Sequence, residues 1–268
     1  MSANNKFKPI ALKDIKNFHQ KIKDKEPFCF VRYSDGETEI IRNRYLKISK
    51  GKTHFKGKIF NNNFSDIDTK EFDPNSNRDL REDLLISAIK KMPNYFKGMP
   101  HKRFKKDREL MITLHGGLDQ NITFADLLIN SNYIFFRKNI VPEFANYKHI
   151  YLIANYRAIP KNILEKSKHL MVPDNFFSNY QNVKNDILNN LFHIPSGSLI
   201  LSSASSLSNI IGFELFKQRN DITFLDIGTS INDLIGLQKI TRTYHEIYFS
   251  KGIIPFLKKL RPSFRIRW

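Results

Sequence analysis

The chain has 268 residues, 41% of them hydrophobic, with 23 Phe and 10 Tyr. That is enough apolar material for a sizeable core and excludes a disordered chain. No apolar run reaches the length of a membrane span, and the polar start Met1-Ser2-Ala3-Asn4-Asn5-Lys6 has no signal-peptide core. The single cysteine, Cys29, excludes an internal disulfide and a thiolate zinc cluster and points to a reducing, cytoplasmic setting.

The formal net charge of +18 invites three partners. They are nucleic acid, bound by displacing counterions, an anionic membrane surface, and phosphate-bearing substrates drawn in by the field. No helix-turn-helix, zinc-finger or RNP aromatic pattern is present, which weighs against nucleic acid. Basic residues cluster at Lys102-Arg103-Lys105-Lys106 and return in a tail, 256–268, with Lys258, Lys259, Arg261, Arg265 and Arg267. That tail is a candidate for peripheral contact with an anionic membrane at its inner face.

In chain order, Ile10, Leu12, Ile15, Phe18 and Ile22 recur at near-helical spacing and predict an amphipathic helix over 10–24. Phe28-Cys29-Phe30-Val31 reads as a buried strand running through Arg32 and stopping at the turn signal Ser34-Asp35-Gly36. From Glu37 to Tyr45 the pattern continues as a helix. Short strands or loop are expected over 46–60, an irregular loop over 61–78, a helix over 80–92 and a short strand or turn over 94–100. Residues 110–114 read as a strand leading into His115-Gly116-Gly117, 123–130 as a helix, and 133–136 as a strand ended by Arg137. Strands at 148–154, 169–173, 198–202 and 223–228 then alternate with helices at 160–167, 180–192 and 207–217. This alternation predicts an α/β fold: a Rossmann-like, mostly parallel sheet with crossover helices on both faces. There is no internal repeat and no linker long enough to demand two domains. One domain over 1–268 is expected, with its core at about 25–240.

Several expected strands finish in polar residues, and a parallel sheet gathers such ends at one edge, where ligands bind. Asp35 and Glu37, separated only by Gly36, can share a hard divalent cation that also takes phosphate oxygens. They also fit an ordinary turn and helix N-cap. The run Ser202-Ser203-Ala204-Ser205-Ser206 opens a helix and fits either a phosphate cradle or a plain cap. Asp226 fits a general base, a ribose contact or a cap, and His115 a base, a substrate contact or a structural histidine. The G-x-G-x-x-G, G-x-x-x-x-G-K-[ST] and G-x-S-x-G patterns are all absent.

The run Val31-Arg32-Tyr33-Ser34-Asp35-Gly36-Glu37 resembles the signature of the GT-D type glycosyltransferases, in which a strand reading (I/V)-R-(F/Y)-G-D-G-E delivers a D-x-E motif. Looser matches follow in order: Tyr95 to Pro100, Asn132 to Arg137, Tyr151 to Arg157, Leu170 to Phe177, Leu199 to Ser206 and Phe224 to Gly228. Ser34 stands where the family has Gly, and Ser205-Ser206 where it often has Gly-Pro. The resemblance implies a Rossmann-like GT-D domain that uses a nucleotide-sugar, often a UDP-sugar, with Mn2+ or Mg2+ held by Asp35 and Glu37. Arg32, Ser34, Gly36, Asn155, Arg157, Ser203, Ser205 and Ser206 are the candidate donor contacts. Asp35, Glu37, Asp226 and His115 are the catalytic candidates, with Glu39 a further base. The leading expectation is a metal-dependent hexosyltransferase acting on a glycan or glycoconjugate acceptor. A basic nucleic-acid-binding protein and a catalytically silent scaffold of the same fold are the alternatives.

Overall fold

A computed structural model describes residues 11–61, 69–237 and 242–250. Seven strands form one sheet in the order β7-β6-β1-β11-β10-β8-β9, every pair of neighbours parallel. They are β1 (Phe28–Arg32), β6 (Tyr95–Met99), β7 (Ile122–Phe124), β8 (Ile150–Asn155), β9 (Lys168–Val172), β10 (Leu199–Ser203) and β11 (Thr223–Asp226). Alternation along β1 shows how the sheet is covered on both faces. Phe28 and Phe30 join one apolar cluster with Ile15, Phe18 and Ile22 of helix α1 (Leu12–Lys23). Cys29 and Val31 join the other, with helices α3 (Arg78–Ile89), α7 (Tyr180–Leu191) and α8 (Ser206–Gln218). Successive strand side chains point to opposite faces, so a strand apolar at every position must be buried on both. Helix α8 lies close on the sheet: a Cβ at Gly212 would come within 2.8 Å of Phe224 and Val31.

A second sheet, antiparallel in the order β4-β3-β2-β5, is built from β2 (Leu46–Ser49), β3 (Lys52–Phe55), β4 (Lys58–Asn61) and β5 (Lys70–Phe72). It interrupts the βα alternation between helix α2 (Asp35–Ile41) and α3. The loop expected over 61–78 therefore contains a strand, and the short strand or turn expected at 94–100 is β6, the direct neighbour of β1.

Four expectations are corrected. Residues 110–114 are the interior of helix α4 (Lys105–His115), whose buried residues Asp107, Met111 and His115 recur every four positions. Residues 133–136 lie in a helical stretch, with α5 (Tyr133–Phe135), a wider turn over Phe136–Ile140 and α6 (Val141–Glu143). Its buried Tyr133, Phe136, Ile140 and Phe144 again keep helical spacing. The expected helix at 123–130 begins instead as edge strand β7, because Ile122, Thr123 and Phe124 pair with Lys97, Gly98 and Met99. Helix α2 is also shorter than the pattern from Glu37 to Tyr45 suggests, since Asn43 takes a left-handed conformation (φ 59°). The last element among the described residues is α9 (Thr243–Ser250). The basic tail 256–268 lies outside the described residues.

Candidate active site

Because the large sheet is parallel, the ends of β1, β11 and β10, which are neighbours, open on one edge. At the end of β1, Ser34 caps helix α2, and the Glu37 carboxylate turns back to accept the Ser34 N–H at 3.0 Å. This leaves the two acids in different surroundings. Glu37 is buried, and its Oε1 also accepts the Ser205 hydroxyl at 3.4 Å. Asp35 is half-buried. Its Oδ1 accepts the Ser34 hydroxyl and the Gly36 N–H, each at 3.1 Å, while Oδ2 has no protein donor among the described residues. Burial raises the pKa of Glu37 and the Asp226 charge adds to the rise, with Lys70 and the Ser34 N–H pulling against them.

Ser205 and Lys70 complete this group. Ser205 precedes α8 with φ 53° and ψ −140°, a backbone region that favours glycine. Lys70 Nζ donates to Ser205 Oγ at 3.3 Å. Lys70 arrives on β5, which Asn175 ties down: Glu71 N–H donates to Asn175 Oδ1 at 2.7 Å, and Asn175 N–H to Thr69 O at 3.0 Å. Sequence reading missed Lys70, because it falls in a stretch that reads as irregular loop. Its only signal is the positive charge directly before the alternating Glu71 and Phe72.

Arg32 and Asp226 brace the adjoining strand ends. Asp226 Oδ2 accepts the Arg32 N–H at 3.2 Å, and Oδ1 accepts Arg32 Nη2 and the Gly228 N–H, each at 3.1 Å. Burial opposes the Arg32 cation, but the Asp226 carboxylate outweighs it and the guanidinium pKa is raised. Burial pushes Asp226 upward while Arg32 pulls it down. The net shift of Asp226 is upward, burial being the larger effect, while the Arg32 charge is permanent, since an arginine does not give up its proton in a protein. Gly228 has φ +47°, and a Cβ there would lie 1.9 Å from Arg32 Nη2. Asn209 Nδ2 donates to the Arg32 carbonyl at 2.8 Å. Behind Ser205, Ser202 and Ser208 share a hydrogen bond at 2.8 Å, and the buried Ser206 hydroxyl has no partner among the described residues.

No side-chain hydrogen bond among the described residues joins the remaining candidates to this group. Ser203 ends β10, half-buried. Asn155 and Arg157, beyond β8, are engaged by Asp174: Asn155 Nδ2 donates to it at 2.8 Å, and the Arg157 guanidinium grips both its oxygens. Arg137 forms a two-pronged pair with Asp233 from within the helical stretch rather than from a strand end. His115 is the last residue of α4, buried against mid-strand Lys97 of β6. Its Nδ1 lies 3.1 Å from Lys97 Nζ and its Nε2 2.8 Å from Asp119 Oδ2, so its contacts are those of an internal polar cluster. Glu39 is fully buried on α2, and neither oxygen accepts a hydrogen bond among the described residues.

No family model and no curated protein matches the chain. Solved structures do. A glycosyltransferase (DUF1792) from Streptococcus sanguinis superposes with a TM-score of 0.54 over 89% of this chain and 84% of its own, at 12% identity. A selenomethionine-substituted domain of unknown function 1792 gives a TM-score of 0.52 over 81% and 77%, at 16% identity. A third structure, of the domain of unknown function 1792 described as having a distinct glycosyltransferase fold, gives 0.50 over 80% and 76%, at 15% identity. Identities this low speak to architecture alone. By that architecture, the chain has the glycosyltransferase fold described for the domain of unknown function 1792.

Proposed function

We propose that the chain is a metal-dependent glycosyltransferase that moves a sugar from a nucleotide-diphosphate sugar, a UDP-sugar, to a hydroxyl of a glycan or glycoconjugate. The observation that carries this reading is Asp35 Oδ2, which has no donor among the described residues, two positions before the Glu37 carboxylate that links to Ser205 and through it to Lys70. The shared fold supports it.

Among the described residues, no three His, Cys, Asp or Glu side chains are grouped to hold a metal by themselves. That donor set still fits a small hard cation, which is commonly held by one or two carboxylates and completed by substrate phosphates and water. Asp35 would be the exposed ligand, with Glu37 behind it. When bound, Mn2+ or Mg2+ supplies Lewis-acid stabilisation of the leaving diphosphate. The chain's own groups do the rest. Lys70 sets a positive charge beside the turn before α8, where helix N–H groups favour an anion. Glu37 holds the Ser34 turn in shape through its hydrogen bond to the Ser34 N–H. Arg32 and Asp226 lock the ends of β1 and β11 together, so that the two loops keep their spacing. In the transfer, the bond from the sugar's anomeric carbon to the diphosphate breaks. A bond to the acceptor oxygen forms, and the acceptor hydroxyl's proton passes to the departing diphosphate or to water.

The test is thermal unfolding with UDP and a set of nucleotide-sugars, with and without Mn2+, since a specific ligand raises stability by mass action. Wild type is expected to gain stability with donor plus Mn2+. Asp35→Asn is expected to unfold like wild type without ligand and to gain nothing from it. No ligand response in wild type, or full transfer by Asp35→Asn, overturns the reading.

A further inference from the structure

Beyond α2, the chain builds a concavity that no part of the donor reading uses. A cleft of about 600 Å³ lies between the residues following α2 and the β3–β4 hairpin, lined by Arg44, Tyr45, His54, Phe55, Lys56 and Lys58 among others. Its volume falls in the range of small-molecule sites.

Three of its walls are held from behind by carboxylates. Arg44 Nη1 lies 3.5 Å from Glu39 Oε1, Lys56 Nζ donates to Asp107 Oδ2 at 3.0 Å, and the Tyr45 hydroxyl donates to Glu71 Oε1 at 2.6 Å. Two of these acids, Glu39 and Asp107, are themselves buried. Glu39 is the telling one. It has no exposed surface, and neither of its oxygens accepts a hydrogen bond among the described residues. Burying a carboxylate without hydrogen bonds is costly. The cation it pairs with among the described residues is Arg44, whose side chain is 53% exposed and lines the cleft. Arg44 and Lys56 thus line the concavity with their positions already fixed by carboxylates, and preorganised cations cost a ligand less to engage. Lys58 adds an exposed charge on β4, and the Tyr45 and His54 rings pack edge to face at 5.8 Å along one wall.

Position adds to this. The cleft begins at Arg44, three residues past the end of α2, whereas Asp35 begins that helix. A helix of seven residues is about 10 Å long. Chain connectivity therefore puts the Asp35 turn and the cleft at the two ends of one short helix.

We propose that this cleft binds the anionic end of the sugar acceptor, a hexose phosphate or a hexuronate. The charged group would meet Arg44, Lys56 and Lys58, and the ring would lie against Tyr45 and Phe55. The assignment deepens the transfer reading and rests on it for the word acceptor, but binding in the cleft needs no donor.

The test follows the His54 imidazole resonances by NMR, assigned with His54→Gln, while glucose 6-phosphate, glucuronate, glucose and inorganic phosphate are added in turn. Saturable shifts are expected from one or both anionic sugars, identifying a phosphate or a carboxylate acceptor, and none from neutral glucose. The same shifts are expected in Asp35→Asn, so loss of donor binding and loss of cleft binding are read separately. Lys58→Glu and Arg44→Ala are each expected to weaken binding at least tenfold, and Lys58→Glu covers the case in which Arg44→Ala disturbs the fold. The proposal is overturned if no anionic sugar shifts His54, or if inorganic phosphate alone binds as well as the sugar phosphate. It is also overturned if the cleft variants abolish binding to phosphatidylglycerol vesicles while leaving sugar binding intact, since the face would then be a membrane surface.

Discussion

Arg32 Nη2 and Asp226 Oδ1 meet at 3.1 Å across the ends of two parallel strands, and the Arg32 backbone N–H donates to the other oxygen of the same carboxylate. One buried acid thus fixes both the side chain and the main chain of the residue two places before Ser34. Removing one member of a buried pair leaves the other charge uncompensated, at about 3–5 kcal/mol. Asp226→Ala is expected to lose stability on that scale in urea unfolding. A loss below 1 kcal/mol would show that the pair does not hold the edge together.

Gly228 sits against the same guanidinium. Gly228→Ala places a Cβ where Arg32 Nη2 now lies, at a positive φ that also resists a side chain. The expected cost is at least about 2 kcal/mol. Arg32→Ala removes the clash but also the pair. The two changes together should therefore cost less than the sum of each alone, which a double-mutant cycle measures.

Ser205 occupies a backbone conformation better suited to glycine. Strain of this kind costs about 1–3 kcal/mol. Both Ser205→Gly and Ser205→Ala delete the hydroxyl between Glu37 and Lys70, but only the glycine relieves the backbone. Ser205→Gly should be more stable than Ser205→Ala by about 1 kcal/mol, and donor-dependent stabilisation should fall equally in both. Equal melting temperatures for the two would remove strain from the account.

The polar cluster under α4 sets a pH dependence. Burial lowers the His115 pKa, partly offset by its hydrogen bond to Asp119, with the Lys97 and Lys91 charges lowering it further. A base whose folded pKa is depressed binds more protons when unfolded. Its contribution is therefore present above the unfolded value of about 6.5 and is lost as pH falls below it. Lys97 is pulled down to about 7 by burial, although its ammonium reaches Ala88 O at 2.5 Å and Lys90 O at 2.6 Å. By the same sign, its contribution grows as pH rises above about 7. Urea midpoints of wild type should climb across both windows. His115→Gln should flatten the acid limb and Lys97→Met the alkaline one.

Glu37 offers a finer test of what the buried acid does. Glu37→Gln keeps an oxygen for the Ser34 N–H, whereas Glu37→Ala abandons the cap, at about 1 kcal/mol or more. The glutamine variant is expected to fold like wild type, and the alanine variant to melt lower.

The parallel strands were legible because each is a short apolar run ended by polar residues, and β1, β8, β10 and β11 all lie where that pattern places them. Residues 110–114 and 133–136 misled because a short apolar run reads alike in a strand and in a buried helix face. Only the wider spacing, Asp107 to Met111 to His115, separates the two. At the site, the turn from Ser34 to Glu37 and the serines before α8 could be read directly, because their chemistry is local. Arg32 as a brace for Asp226 could not, since the partners lie 194 positions apart and meet only through strand order. Lys70 was hidden for the same reason. Nothing near it in the chain says that Asn175 will anchor its strand.

That anchoring makes the sign of charge at the site a matter of alignment. In a strand, a slip of one position exchanges the two faces. Were β5 to pair one step out of place, Lys70 would turn away and a neighbour, Thr69 or Glu71, would stand in its stead. In the second case an anion would confront the buried Glu37. Asn175, by holding the two residues on either side of Lys70, thus guards the electrostatic polarity of this edge.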